Sequence, residues 1–342
     1  MLIIFIYFSI ISLSLIFIQS KYFILLDAPR DQKHKSKYNK NTPLTGGIYL
    51  FIAITSWILS ASYNNYSFLV ILFLFSFLIL GIFSDLKTNF SPKLRLFLQS
   101  ILIIFFIYLL DLKINKTGLF FLDYFIDNTI FNLLFSAICI IILVNGSNFC
   151  DGVNCNVIGY YLIVSLAILY GEFLNPDNFP NIKIIIIIFF IFYLSNLFQK
   201  SFLGDNGVYV VNIFMAIYLI NFINVNSYIS PLLALNLLWY PAFENLFTIV
   251  RRLNANKTID KADGLHFHTL LLKKIFKFNK NFIFSNSLTG ILLNIFMFVG
   301  IFLSTNYYDN AKVLMLILII NITIYVLIYF LFLSRKIKFK SR

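Results

Sequence analysis

Ser67-Phe-Leu-Val-Ile-Leu-Phe-Leu-Phe-Ser-Phe-Leu-Ile-Leu-Gly-Ile-Phe83 carries no charge, and Ser84-Asp85-Leu86-Lys87 follows it at once. An uncharged apolar run of this length reads as a membrane-spanning helix. The acid at its end marks the edge of the apolar layer, where a carboxylate is costly unless paired, hydrated or metal-bound. Similar runs recur near 2–20, 43–61, 94–110, 129–144, 157–174, 182–198, 207–222, 230–250, 286–305 and 311–333. The chain is 60% hydrophobic and 12% charged, whereas soluble domains carry roughly a quarter charged residues. The expected fold is all-α: one polytopic membrane domain over 1–342 with about eleven spans, N-terminus outside and C-terminus cytosolic. The first run lacks a basic start and a small-residue cleavage site, so it reads as a retained span.

The net charge of +13 is distributed by side. With the N-terminus outside, the inside segments 21–42, 84–93, 145–156, 199–206, 251–285 and 334–342, together with Arg95, hold all but four of the 27 Lys and Arg. The four left outside are Lys113, Lys116, Lys183 and Lys312. This is the positive-inside pattern. It assigns the basic excess to topology and anionic lipid, not to nucleic acid. Cys150 and Cys155 fall in an inside loop, with no disulfide expected on the reducing side.

The inside loops also hold the polar residues that chemistry needs. The first contains Asp27, Arg30, Lys33 and His34, then Gly46-Gly47 at a helix start, where backbone N–H groups approach an anion closely. The second contains Asp85, for which pairing with Lys87 or Arg95 is the plainer alternative to a functional role. The third reads Asn145-Gly-Ser-Asn148-Phe-Cys-Asp151-Gly152. Its two amides and one acid recur every three residues and share a helical face; such oxygens suit Mg²⁺ or sugar hydroxyls. The fourth is Gly204-Asp205-Asn206-Gly207, an accessible carboxylate and equally a good turn. The fifth carries Arg251-Arg252 and Ala262-Asp263-Gly-Leu-His266-Phe-His268, with two of the three histidines. Their i, i+2 spacing suits an extended loop, and Arg with His suits phosphate.

In this order on one face, the loops resemble the polyprenyl-phosphate N-acetylhexosamine-1-phosphate transferases, from Asp27 to about Leu272. The carriers are Asn145-x-x-Asn148-x-x-Asp151-Gly152, Gly204-Asp205-x-Gly207 and Ala262-Asp263-x-x-His266-x-His268. The resemblance implies transfer of a HexNAc-1-phosphate from a UDP-N-acetylhexosamine to a polyprenyl (undecaprenyl) phosphate, with release of UMP and Mg²⁺ as cofactor. It implies Asp85, Asp151 and Asp205 as catalytic residues, and Asp205 and Asp85 as the metal ligands. Lys33, His34, Asn145, Asn148, Arg252, His266 and His268 are the implied substrate-binding residues. The expected location is a bacterial inner membrane with the site facing the cytosol, in the initiation of a cell-envelope glycan; a homodimer is left open as the assembly.

Two departures stand out: the family's acid pair is Ser84-Asp85 here, and its third histidine is Thr269. Tyr240-Pro241-Ala242-Phe243-Glu244 through Arg251-Arg252 looks more like the branch that builds O-antigen, capsule or glycan-linker lipids. The competing readings are an inactive scaffold relative, motivated by Ser84, and a transporter or flippase. The second is opposed by acids placed in loops or at span ends and by the lack of an inverted repeat. Reporter fusions after His34, Gly152 and His268 are expected to report the cytosol, and a fusion after Asp123 the outside. A periplasmic signal at Gly152 would separate the motif loops and refute this topology.

Overall fold

The computed structural model describes residues 42–61, 64–86, 90–171, 182–256 and 264–337. Among them twelve helices follow one another and no strand occurs. They are α1 (Gly46–Ala61), α2 (Asn65–Leu86), α3 (Pro92–Leu110), α4 (Phe120–Ile126), α5 (Thr129–Cys150) and α6 (Asn156–Tyr170). The second half comprises α7 (Ile182–Leu197), α8 (Gly204–Val225), α9 (Leu232–Asn254), α10 (Phe267–Phe278), α11 (Phe282–Thr305) and α12 (Ala311–Ile337).

The helices form where apolar runs sit between capping residues. Ser91 accepts from Leu94 N at 3.2 Å with Pro92 at the first helical position, and α3 closes on Asp111 in the left-handed region at φ 47°. Asn128 caps α5 through Ile130 N and Phe131 N, both at 3.0 Å. Asn281 caps α11 through Phe284 N at 3.2 Å. Few of these helices have strong intrinsic propensity, since Ile, Phe and Val dominate them. In an apolar medium the backbone has no other partner for its hydrogen bonds, so the helix forms regardless.

Seven helices, α2, α3, α5, α8, α9, α11 and α12, are long and apolar enough to cross a membrane. Three shorter apolar helices, α1, α6 and α7, stand where the expected spans 43–61, 157–174 and 182–198 lie, with 16, 15 and 16 residues. At about 1.5 Å per residue such helices rise roughly 24 Å, short of a hydrocarbon core of about 30 Å. The expected span 2–20 lies outside the described residues. The expected loop 145–156 is in part helix: α5 runs on to Cys150 because its polar residues find partners on neighbouring helices. Two short helices, α4 and α10, occupy stretches read from sequence as connections.

α8 is the axis of the bundle. From Asn206 to Leu219 every side chain is buried, as expected of a helix enclosed on all sides. It packs against α1, α2 and α5, while α9 lies on α5 and α12, and α11 on α6 and α10. The outer surface is apolar. On α2, Phe68, Leu72, Phe75, Ile79 and Phe83 form an exposed stripe at helical spacing, and Phe97, Ile101, Phe105 and Tyr108 continue it on α3. A continuous belt of this kind is suited to lipid rather than water.

Two glycines set the spacing at the heart of the bundle. A Cβ at Gly146 would fall 1.9 Å from the carbonyl oxygen of Pro241, and one at Gly81 would fall 2.3 Å from Cα of Asn206. In both cases the obstacle is backbone, so the helices themselves would have to separate. Gly146→Ala is expected to destabilise the detergent-solubilised protein by ~1–3 kcal/mol, read as a lowered melting temperature. Gly264→Ala is the control, because its added methyl meets only the movable Nζ of Lys273 at 2.8 Å. Equal melting of both variants would show that α5 and α9 do not meet as closely as described.

Candidate functional site

The N-terminus of α8 is reached by the C-terminal ends of α2 and α5 and by the N-terminal ends of α1 and α3. Gly204 turns the chain with φ 67°, which a residue with a Cβ rarely adopts. Asp205 then stands in the first turn. Its Oδ1 accepts from Asn148 Nδ2 at 2.7 Å, and its Oδ2 accepts from Arg95 NH1 at 3.1 Å and from the Ser84 hydroxyl. The carboxylate keeps 16% of its side chain exposed and Arg95 keeps 18%, so the pair is sheltered yet within reach of a ligand.

Asp85 faces the same turn from below. Its Oδ1 accepts from Asp205 N at 3.0 Å, and its Oδ2 from Asn206 N at 3.1 Å and from Asn206 Nδ2 at 2.5 Å. Four backbone N–H groups at a helix start have no partner within the helix, and Asp85 supplies two of them with a charged acceptor from another helix. Asn206 carries the link onward: its amide donates to Leu44 O at 3.2 Å and its Oδ1 accepts from Gly47 N at 2.7 Å. The two glycines of α1 thus serve an approach to α8. Asp85 is therefore bonded to the start of α8, while Arg95, one of its two expected cationic partners, pairs with Asp205 instead; the other, Lys87, lies outside the described residues.

The second cluster surrounds the histidines. His266 is extended at the start of α10 and His268 lies in its first turn, with rings stacked at 5.6 Å and 7°. The expected all-extended His266-x-His268 segment is thus extended only at its first member. His266 Nδ1 lies 3.0 Å from Glu244 Oε1 and 3.5 Å from Thr248 Oγ1, and Tyr325 donates to Glu244 Oε2. Phe149 meets His266 ring to ring at 5.4 Å, and the buried Arg252 guanidinium lies 5.9 Å from the Phe149 centroid. Gly152 packs so closely on His268 that a Cβ would fall 2.0 Å from Nε2. His268 Nδ1 is buried with no hydrogen-bond partner. Burial, and next the adjacent His266, brings the His268 imidazole down to about 3, so at neutral pH it is uncharged.

The expected residues therefore fall into two groups joined by the end of α5. Asp85, Asn148 and Asp205 meet at the start of α8. Arg252, His266 and His268 gather around Phe149 and Gly152, with Asp151 between as the cap of α5. Asn145 sits one turn behind Asn148 and donates to Gln99 Oε1 at 3.1 Å, which ties α5 to α3 one turn from Arg95. Lys33, His34 and Asp263 lie outside the described residues. Sequence reasoning passed over Arg95, Asn206 and Glu244 as site members. Glu244 had a usable signal: it is an acid well inside an apolar span, and such residues are functional or paired. Its burial in α9 corrects the expectation that the acids stand only in loops or at span ends.

Residues 67–223 match the model of glycosyl transferase family 4. The resemblance read from the loops is supported at the level of the family over this stretch. The matched stretch contains Ser84, Asp85, Arg95, Asn148, Asp151 and Asp205, while Glu244, Arg252 and the histidine pair lie beyond its end. No curated protein matches the chain.

His268 gives the pocket a pH signature. Its folded-state pKa, about 3, is below the 6.5 of an unperturbed histidine. Above about pH 6.5 both folded and unfolded chains leave it neutral and nothing is lost. As pH falls below that value the unfolded chain takes up a proton that the folded chain refuses, and stability drops. At pH 5 this amounts to about 2 kcal/mol. Melting at pH 7 and pH 5 should show a larger acid loss for the wild type than for His268→Gln; equal losses would show that His268 is not held neutral.

Proposed function

We propose that the chain transfers N-acetylhexosamine-1-phosphate from a UDP-sugar to a polyprenyl phosphate and releases UMP. The observation that carries the reading is the sheltered Asp205 carboxylate, ringed by Arg95, Asn148 and Ser84, at the end of an apolar bundle and beside a buried histidine and arginine pocket. A soluble nucleotide and a lipid acceptor must meet at such a boundary.

A phosphate oxygen of the acceptor attacks the β-phosphorus of the donor, and the bond from that phosphorus to the bridging oxygen breaks. UMP leaves with the bridging oxygen and the electron pair. A lipid phosphate is largely ionised near neutral pH, so no strong base is required. Catalysis of this kind rests on positioning and on neutralising charge. Arg95 and Arg252 supply fixed positive charge, and His266 and His268 supply N–H donors to donor phosphates. The unpartnered Nδ1 of His268 marks a place where a ligand atom is wanted. Asn148 and Asp151 shape the nucleotide side, Asn145 braces Asn148 from behind, and Lys33 and His34 are kept as proposed substrate-binding residues from the sequence alone.

Mg²⁺ binds one or two carboxylates, keeps several waters and takes its remaining oxygens from phosphates. Asp205 fits that habit: it offers carboxylate oxygens at a partly open position, with 16% of its side chain exposed. Among the described residues no group of three acidic, histidine or cysteine side chains is gathered as a metal cage, which such an ion does not need. Bound there, the ion would stabilise charge on the diphosphate and on the leaving UMP. Asp85 has both oxygens engaged by α8, so its part in this reading is to hold Asp205 in place. The proposed setting is the cytosolic face of a bacterial inner membrane, in the initiation of a lipid-linked envelope glycan.

The test is UMP release from UDP-N-acetylhexosamine by the purified protein in vesicles containing polyprenyl phosphate. Asp205→Asn is expected to lower the rate by about two orders of magnitude or more, while Ser84→Ala, losing one hydrogen bond, stays within roughly ten-fold. Wild-type activity in Asp205→Asn would make Asp205 a turn residue and remove the basis of the reading.

A further inference from the structure

Arg95 lies in the first turn of α3 and Asn148 in the last turn of α5. The last turn of α3 and the first turn of α5 therefore stand at the end of the bundle opposite Asp205. With the chain that leaves α3 they enclose a cavity of about 260 Å³. Its walls are apolar, from Ile107 and Leu112 on one side and Ile130 and Leu133 on the other, and it is also lined by Asp111 and Lys113. Lys113 Nζ lies 2.6 Å from Asp111 Oδ1, and the two side chains keep 43% and 77% exposure.

The frame around this pair is held from two sides. Asn132, buried in α5, donates to Ile114 O at 2.9 Å and to Ile126 O at 3.0 Å, and accepts from Ile114 N at 3.1 Å. Asn224 of α8 donates to Lys113 O at 2.6 Å. Within this frame Asp111 is a costly choice. Its φ of 47° falls in the left-handed region, where a helix usually ends on Gly or Asn. Its charge also stands at the negative end of the α3 dipole. The turn and the helix would both be better served without an acid, so the charge needs another explanation.

Size and depth narrow the ligand. Small-molecule sites run from about 300 Å³ upward, so this cavity takes part of a molecule and leaves the rest outside. α3 and α5 are both long and apolar enough to cross a membrane, which places their ends at the level of the headgroups. Tyr108 at the rim and Tyr124 of α4 are 73% and 77% exposed, as expected of an aromatic belt at that level.

We propose that this cavity binds one membrane phospholipid with a primary-ammonium headgroup, of the phosphatidylethanolamine class. The lipid phosphate meets Lys113, the ammonium meets Asp111, and the first part of one acyl chain lies along the apolar walls. Lys113 and Asp111 exchange their mutual bond for one bond each, so every charge stays paired. An anionic lipid would set its phosphate beside Asp111 with no ammonium to offset it. A choline lipid brings a cation that has no N–H to donate. The proposal is independent of the transferase reading.

The experiment is native mass spectrometry of the delipidated protein in detergent, titrated with phosphatidylethanolamine, phosphatidylcholine and phosphatidylglycerol of matched acyl chains. Phosphatidylethanolamine is expected to bind about five-fold more tightly than either of the others, the worth of a partly exposed ion pair. Asp111→Asn keeps a residue that tolerates the left-handed turn and removes the charge. It is expected to abolish the preference over phosphatidylglycerol without weakening phosphatidylglycerol itself. Lys113→Gln is expected to weaken phosphatidylethanolamine by a similar factor, while Lys312→Gln, in the first turn of α12, leaves it unchanged. Glycerophosphoethanolamine, the same headgroup without chains, is expected not to displace the lipid at large excess. Equal binding of the three lipids by the wild type would overturn the proposal. So would a preference that survives Asp111→Asn, a loss in Lys312→Gln as large as in Lys113→Gln, or displacement by the chainless headgroup.

Discussion

A helix that begins inside a protein must find acceptors for its first N–H groups, and at the start of α8 that acceptor is the carboxylate of Asp85. The bond is made between elements far apart in sequence, from the last turn of α2 to the first turn of α8. It satisfies Asp205 N and Asn206 N together, and the negative charge complements the positive end of the helix dipole. Because α8 is buried along most of its length, its rotation and depth fix the neighbours around it. The direction in which the Asp205 side chain points is therefore a consequence of where Asp85 holds the backbone behind it. Gly81, one turn before Asp85, is what lets α2 come close enough for the bond to form.

The end of α5 relates the two halves of the site. Consecutive residues face opposite clusters: Asn148 reaches the Asp205 carboxylate, and Phe149 meets His266 while Arg252 lies over it. Helical geometry separates successive side chains by about a hundred degrees, which is what allows one turn to serve both. Asn145 to Gln99 and Ser147 to Asn212, at 3.1 and 2.7 Å, lock that turn against α3 and α8. The polar residues of this stretch, which would weaken an exposed helix, here extend α5 past the apolar run.

Much of this was legible in the sequence, and the parts that were not share one cause. Uncharged runs gave the helices, and the loop order gave the acids and histidines, because both signals are local. Partnership is not local. Asp85 and Arg95 are near neighbours in sequence, and pairing Asp85 with Lys87 or Arg95 was the plain reading; in the fold Asp85 bonds the backbone and Arg95 the carboxylate of one turn of α8, while Lys87 lies outside the described residues. The helices α1, α6 and α7 begin and end within a few residues of the apolar runs that announced them. α10 was hidden by its charge: Lys273, Lys274 and Lys277 made the stretch look like a basic loop, while Phe267 and Leu270 bury its other side. Glu244 was visible as an acid in an apolar span, but its partner His266 could be found only in three dimensions.

Ser84 is best understood through the charges around it. The resembled family carries an acid there, next to the one that corresponds to Asp85. In this chain the hydroxyl donates to Asp205 Oδ2 alongside Arg95. A carboxylate in its place would face Asp205 at hydrogen-bonding range, with Asp85 adjoining, and like charges so close oppose each other's ionisation. Such an arrangement needs a cation to balance it. With serine, one guanidinium and two neutral donors surround the Asp205 carboxylate. The change from acid to hydroxyl thus removes a repulsion without removing the carboxylate on which the proposed chemistry rests.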